Sequence, residues 1–156
     1  QFDVRRRQNR HLLTEFEHIL TGYFFSDKPR TVGLPTVAYC AEQMHLSPNY
    51  FGDLIKRETG TSPQEFIQAT IVNVAKSLIF DPQKTILDIS EELGFQYPQH
   101  FTTMFKRRTG MTPTQYRKLK KWERAQDRIL AAGRTVFASL RESLSLPAAV
   151  RETTPT

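Results

Sequence analysis

The stretch FTTMFKRRTGMTPTQY, residues 101–116, spells out a helix, its end and the start of the next helix. Phe101, Met104 and Phe105 recur at the spacing that gathers apolar side chains on one helical face. Lys106, Arg107 and Arg108 follow, and Gly110 is the residue that commonly closes a helix in a left-handed conformation. Thr112-Pro113-Thr114-Gln115 then supplies a cap, a proline where its missing N–H costs nothing, and a capping-box partner. The same pattern stands earlier as FGDLIKRETGTSPQEF, residues 51–66. Phe51 matches Phe101, Lys56 and Arg57 match Lys106 and Arg107, Gly60 matches Gly110, Pro63 matches Pro113 and Phe66 matches Tyr116, all fifty residues apart. Self-similarity at a fixed period marks a duplicated supersecondary unit.

Working outward, each copy is preceded by a short helix and a tight turn. In the first, Thr36 caps a helix with Val37, Cys40, Ala41 and Met44 inward, His45-Leu46 turns, and Ser47-Pro48 opens the next helix. In the second, Thr85-Ile86-Leu87-Asp88 is the capping start; Ile86, Ile89, Ser90 and Leu93 take the inward positions and Gly94-Phe95 turns. The second turn carries one extra residue before Phe101. Between the copies, Ser62-Pro63-Gln64-Glu65 starts a long helix to about Phe80, with Phe66, Ile67, Ile71, Val74, Ala75, Leu78 and Ile79 as its stripe. No segment alternates with the period of a strand, so the expected fold class is all-α.

The flanks differ in character. Residues 1–9, with Arg5-Arg6-Arg7 and few apolar neighbours, read as a linker from a preceding part of a longer protein. Residues 10–35 read as a lead-in helix (Leu12, Leu13, Phe16, Ile19, Leu20) and a loop of about ten residues, broken by Asp27-Lys28-Pro29 and Gly33-Leu34-Pro35. The repeated region spans 36–120, divided as 36–62, 63–80 and 85–120, with its closing helix ending near Lys121. Residues 121–156 read as a C-terminal extension. It is partly helical, with Ile129, Val136, Leu140 and Leu144 in spacing and Gly133 weakening it, and disordered from Leu146.

Charge narrows the partner. The 156 residues carry a net charge of +6, and residues 96–121 hold seven Lys or Arg with no Asp or Glu. A local positive field of that kind suits an anionic partner, nucleic acid before membrane. The single cysteine, Cys40, excludes an intrachain disulfide and fits a reducing compartment. No apolar run is long enough to span a bilayer and no signal peptide is evident, so the expected location is cytoplasmic. His11, His18, His45 and His100 are scattered without metal-ligand pairing; neither metal nor cofactor nor enzymatic activity is expected.

A short helix, a turn and a second helix with a polar outer face form a helix-turn-helix, whose second helix enters the DNA major groove. Removing the buried positions leaves Asn49, Gly52, Asp53 and Lys56 outward in the first copy. In the second they are Gln99, Thr102, Thr103 and Lys106, with Tyr97 and His100 beside them. Gln99 and Asn49 suit bidentate pairing with adenine, Thr102 and Thr103 suit a thymine methyl or an acceptor, and Asp53 could accept from cytosine. Lys56, Arg57, Lys106, Arg107, Arg108, Arg117 and Lys118 suit phosphate, as do helix starts at Thr36, Ser62, Thr85 and Thr112.

Residues 36–118 resemble the double helix-turn-helix DNA-binding domain of the AraC/XylS family of bacterial transcription regulators. The resemblance rests on Ile89-Ser90, Leu93-Gly94-Phe95, Gln99-His100-Phe101, Met104-Phe105-Lys106, Gly110-Met111-Thr112-Pro113 and Tyr116-Arg117. The first copy adds Leu46-Ser47-Pro48-Asn49-Tyr50-Phe51 and Lys56-Arg57-Glu58-Thr59-Gly60. It implies two homeodomain-like helix-turn-helix subdomains joined by one connecting helix, with recognition helices entering successive major-groove segments about 34 Å apart. It further implies sequence-specific binding of double-stranded DNA and a regulator, usually an activator, that touches RNA polymerase. An N-terminal effector domain, through which a homodimer could form, would precede residue 1. The chain departs from the family pattern at Ile71, where many relatives have arginine, and at Ser90, where alanine is usual. Gly52 and Asp53 replace longer polar or basic residues, and the tail after Lys121 has no counterpart.

Two other readings stand beside this one. A helical protein-interaction module could use the basic face to bind an acidic partner. Some DNA-repair methyltransferases carry an AraC-like domain beside a methyl-accepting cysteine, which would give Cys40 a chemical role; on an inner helical face, a lone cysteine is far more often core.

Overall fold

Five helix starts in this sequence are written as Ser or Thr caps, and in the computed structural model each hydroxyl accepts the backbone N–H three residues on: Thr36 from Tyr39, Ser47 from Tyr50, Ser62 from Glu65, Thr85 from Asp88 and Thr112 from Gln115. Ser62–Glu65, Thr85–Asp88 and Thr112–Gln115 also return the reciprocal bond from side chain to cap N–H. Two otherwise orphaned donors are satisfied in each. The Thr85 hydroxyl and N–H, both donating to Asp88, hold its carboxyl below the usual range. The cap is therefore complete above the ordinary carboxylate pKa and weakens as pH falls below it.

The structure describes residues 2–143, with side-chain environments for 3–134. Every regular element among them is a helix: α1 Phe2–Phe24, α2 Lys28–Thr31, α3 Val37–Gln43, α4 Pro48–Thr59, α5 Pro63–Ile79, α6 Ile86–Glu92, α7 Pro98–Thr109 and α8 Pro113–Ser143. The chain divides after Gln115 into two units.

In the first unit, α3 with α4 and α6 with α7 form the two helix-turn-helix copies, and α5 touches both pairs as well as α1. At 17 residues α5 is about 25 Å long. Its buried residues are Pro63, Ile67, Ile71, Val72, Ala75 and Ile79. The stripe thus runs through Val72 rather than Val74, Phe66 and Leu78, which are only half-buried. Packing against a helix pair on each side sets the buried arc, which is turned towards Val72 from the stripe read in the sequence. Cys40, Ala41, Phe51 and Ile55 are completely buried in the first copy, and Ile89, Ser90, Phe101 and Phe105 in the second. Phe16 of α1 meets Phe51 edge-on at 5.0 Å and Phe66 at 4.8 Å, sealing the first copy.

Three regions differ from the sequence reading. Helix starts at Phe2, so residues 2–9 are helical rather than an irregular linker. They hold Arg and Gln, good helix formers without a breaker, and extending an existing helix is far cheaper than nucleating one. The Asn9 amide also donates to Glu58 of α4. The expected ten-residue loop contains α2, because Pro29 occupies the first turn of a helix, where proline is tolerated. Finally, α8 runs past Lys121 to Ser143 as one 31-residue helix. Gly133 costs only about 1 kcal/mol in a helix interior, too little to end it. The disorder expected from Leu146 lies outside the described residues, as does Leu144.

Candidate nucleic-acid interface

The two turns that aim the second helices are built alike. His45 N–H donates to Glu42 O and Leu46 N–H to Ala41 O; Gly94 N–H donates to Glu91 O and Phe95 N–H to Ser90 O. This bond pattern places one residue in the left-handed region, His45 at φ 56° and Gly94 at φ 94°. Ala41 and Ser90 stand where the paired helices approach, both fully buried. Among the described residues the Ser90 hydroxyl has no hydrogen-bond partner.

With the apolar faces of α4 and α7 pointing inward, the opposite faces are set. On α4, Asn49, Asp53, Lys56 and Arg57 are exposed and Gly52 is half-buried. On α7, Gln99, His100, Thr103, Lys106, Arg107 and Arg108 are exposed and Thr102 is half-buried. The His100 ring lies edge-on to Tyr97 at 5.5 Å between centroids, and Tyr97 is half exposed. Asn49, Asp53 and Lys56 thus share one exposed side of α4, and Gln99, Thr103 and Lys106 the matching side of α7, while Arg108, nine residues on, falls on the opposite side from Gln99.

The electrostatics of the two surfaces differ. On α4, Lys56 and Arg57 are balanced by Asp53 and Glu58, and Arg57 Nε lies 3.4 Å from Glu58 Oε1. On α7, Lys106, Arg107 and Arg108 have no acidic residue on the helix. Arg107 and Arg108 instead reach across to α5. Arg107 Nη2 donates to Gln68 Oε1 at 3.2 Å, and Arg108 donates to the same oxygen through Nε at 3.3 Å and Nη2 at 3.1 Å. A cleft of about 300 Å³ beside these bonds is edged by Gln64, Gln68, His100, Thr103 and Arg107. Sequence reasoning did not single out Gln68. It lies on the connecting helix outside either repeat motif, and no pattern signals a neutral acceptor facing another helix.

Arg117 and Lys118 lie on α8 in the second unit, half-buried and exposed respectively. Within that unit Lys120 pairs with Glu123 at 2.6 Å and sits over the Tyr116 ring.

Nothing among the described residues groups three His, Cys, Asp or Glu side chains for a metal, and none of their helices is long and apolar enough to cross a membrane. Cys40 is wholly buried, and burial pushes its thiol up to about 11. It stays protonated near neutrality. Sealing it stabilises the fold below the ordinary thiol range, and that contribution fades as pH rises towards 11.

A family model described as a helix-turn-helix domain matches residues 40–119, just over half of the chain. The HTH-type transcriptional regulator YobQ of Bacillus subtilis (strain 168) is 38% identical over 82 residues, 53% of this chain and 34% of that protein. The bifunctional transcriptional activator/DNA repair enzyme AdaA of the same organism is 33% identical over 110 residues, 70% of this chain and 51% of that protein. The DNA-binding domain of AdpA, solved in complex with a target DNA, superposes with a TM-score of 0.61 at 20% identity, covering 74% of this chain and 96% of that one. This likeness is one of fold. The chain spans a third to a half of the length of these two curated relatives.

Proposed function

The chain belongs to the AraC/XylS family of DNA-binding transcription regulators, carrying its double helix-turn-helix domain, and we propose that α4 and α7 enter successive major-groove segments on one face of duplex DNA. The observation that carries this reading is α7: an apolar face wholly given to the core, an opposite face of Gln99, Thr103 and Lys106, and no acidic residue on a helix that also carries Arg107 and Arg108. Gln99, His100, Thr102 and Thr103 read bases from α7, and Asn49 and Asp53 read them from α4. Lys56, Arg57, Lys106, Arg107, Arg108, Arg117 and Lys118 engage phosphate.

The regulator acts as an activator that contacts RNA polymerase and dimerises through a domain preceding residue 1. It has no catalytic step. Burial and protonation of Cys40 argue against a methyl-accepting thiolate.

A retardation assay with mixed-sequence duplex, against a polyglutamate competitor and across salt concentrations, tests the reading. The expected result is affinity that falls steeply with salt, with slope about −0.9 per phosphate neutralised, and duplex retained over polyglutamate. Equal displacement by polyglutamate would favour a module for acidic proteins instead.

A further inference from the structure

Two guanidinium groups on adjacent residues repel each other and would ordinarily spread apart in solvent. Here Arg107 and Arg108 donate three N–H bonds to a single oxygen, Gln68 Oε1. Among the described residues neither arginine has any other side-chain partner. The acceptor is neutral, so both charges are retained while both side chains are held. The two cations belong to α7 and the acceptor to α5, so the arrangement also bridges recognition helix and connecting helix.

The corresponding place in the first copy is built to opposite effect. Fifty residues earlier, Arg57 is followed by Glu58 rather than arginine, and the two lie 3.4 Å apart as an ion pair. Glu58 also accepts from Asn9 of α1. One charge is cancelled there, where two are gathered in the second copy.

We propose that Gln68 is a positioning residue: its amide oxygen holds Arg107 and Arg108 as a paired dication that grips one stretch of DNA backbone. A guanidinium has five N–H donors, so the pair keeps most of its donors for phosphate oxygens after binding Gln68. Pre-ordering two long side chains removes an entropic cost that each would otherwise meet on binding. An acid at position 68 would hold the arginines at least as well but cancel one of their two charges. A neutral acceptor is the group that orders without neutralising.

This inference rests on the DNA-binding reading, and the experiment separates the two. The full chain and its Gln68→Glu, Gln68→Ala and Arg107→Ala/Arg108→Ala variants are titrated with a mixed-sequence duplex across sodium chloride concentrations. Gln68→Glu should fold normally by circular dichroism, weaken binding about tenfold and flatten the salt slope by about 0.9 for each phosphate that is no longer neutralised. Placed in the double-alanine background, the same change should have no further effect. Gln68→Ala should weaken binding a few-fold with the slope unchanged, because both charges remain but are no longer held.

A wild-type chain without salt-dependent binding would sink the DNA reading itself. If wild type binds steeply, unchanged slope in Gln68→Glu, wild-type affinity in Gln68→Ala, or an undiminished Gln68→Glu effect without the two arginines would each overturn the role of Gln68.

Discussion

In the first copy the left-handed turn position is filled by His45 at φ 56°, exposed to solvent. In the second it is Gly94 at φ 94°, and a Cβ there would stand 2.8 Å from the Gly33 carbonyl carbon and 2.8 Å from the Pro29 carbonyl oxygen. The backbone hydrogen bonds of the two turns match, but Gly94 lies further into the region that side chains avoid, and the close approach of residues 29–33 adds a second demand for glycine. That segment is fixed in its turn. Tyr23 donates to Gly33 O at 2.7 Å, and Arg30 of α2 lies 3.8 Å from Glu92, which takes Lys84 at 2.6 Å.

The copies therefore share a turn but not its surroundings. The first has an open turn, a core closed by Phe16 of α1 against Phe51 and Phe66, and a second helix whose charges cancel. The second has a turn clamped by the connector and a second helix carrying three uncompensated cations. Duplication supplied the frame; the two halves then took different loads. The second has the more cationic helix, and the first, with Gly52 and Asp53 in its outward row, the less cationic one.

The two copies should differ most in stability at their turns. Gly94→Val combines left-handed strain of about 1–2 kcal/mol with overpacking of about 1–3 kcal/mol. A loss of about 2–5 kcal/mol is expected in chemical denaturation. His45→Gly removes strain without any clash and should change stability by less than about 1 kcal/mol, the gain partly offset by a looser unfolded chain. Equal losses at both turns would erase the distinction.

Base reading offers the next contrast. Gln99→Ala should relax discrimination at one or two base pairs by about 1–3 kcal/mol each, scored by selection from a randomised site. Asn49→Ala should cost less, because neighbouring Gly52 and Asp53 make a poorer reading surface. A larger effect at Asn49 would reverse the assignment of the halves.

Arg107→Ala should weaken binding to every sequence and reduce the salt slope by about one. Arg57→Ala should change the slope less, since Glu58 already offsets its charge. The smallest effect is expected at the helix approach. Ser90→Ala removes a buried hydroxyl that has no partner among the described residues, and thermal denaturation should show a gain of about 1 kcal/mol. The reverse change, Ala41→Ser, should lose a comparable amount.

Much of this fold was legible because helices announce their ends chemically. Thr36, Ser47, Ser62, Thr85 and Thr112 cap as their side chains allow, and Gly60 and Gly110 close α4 and α7 in the left-handed region. These are local effects, decided within four residues. What the sequence hid depends on distant partners or on continuation. Nothing near Gly94 reveals that Gly33 lies against it. Nothing in Gln68 points to two arginines forty residues away. Residues 2–9 carry no apolar stripe to mark them, and the helical spacing read after Lys121 does not tell that α8 runs unbroken through that residue, yet in both places one helix extends through. The candidate base-reading face was legible for a simpler reason: on a helix whose inner residues are known, the outer ones follow.

Two recognition helices on one connecting helix that bind one face of DNA should leave a distinct hydroxyl-radical footprint on a duplex selected from a random pool. The predicted result is two protected segments on the same face, separated by about 10 base pairs, with the α7 segment lost first as salt is raised in the Arg107→Ala variant. A single protected segment, or two on opposite faces, would contradict it.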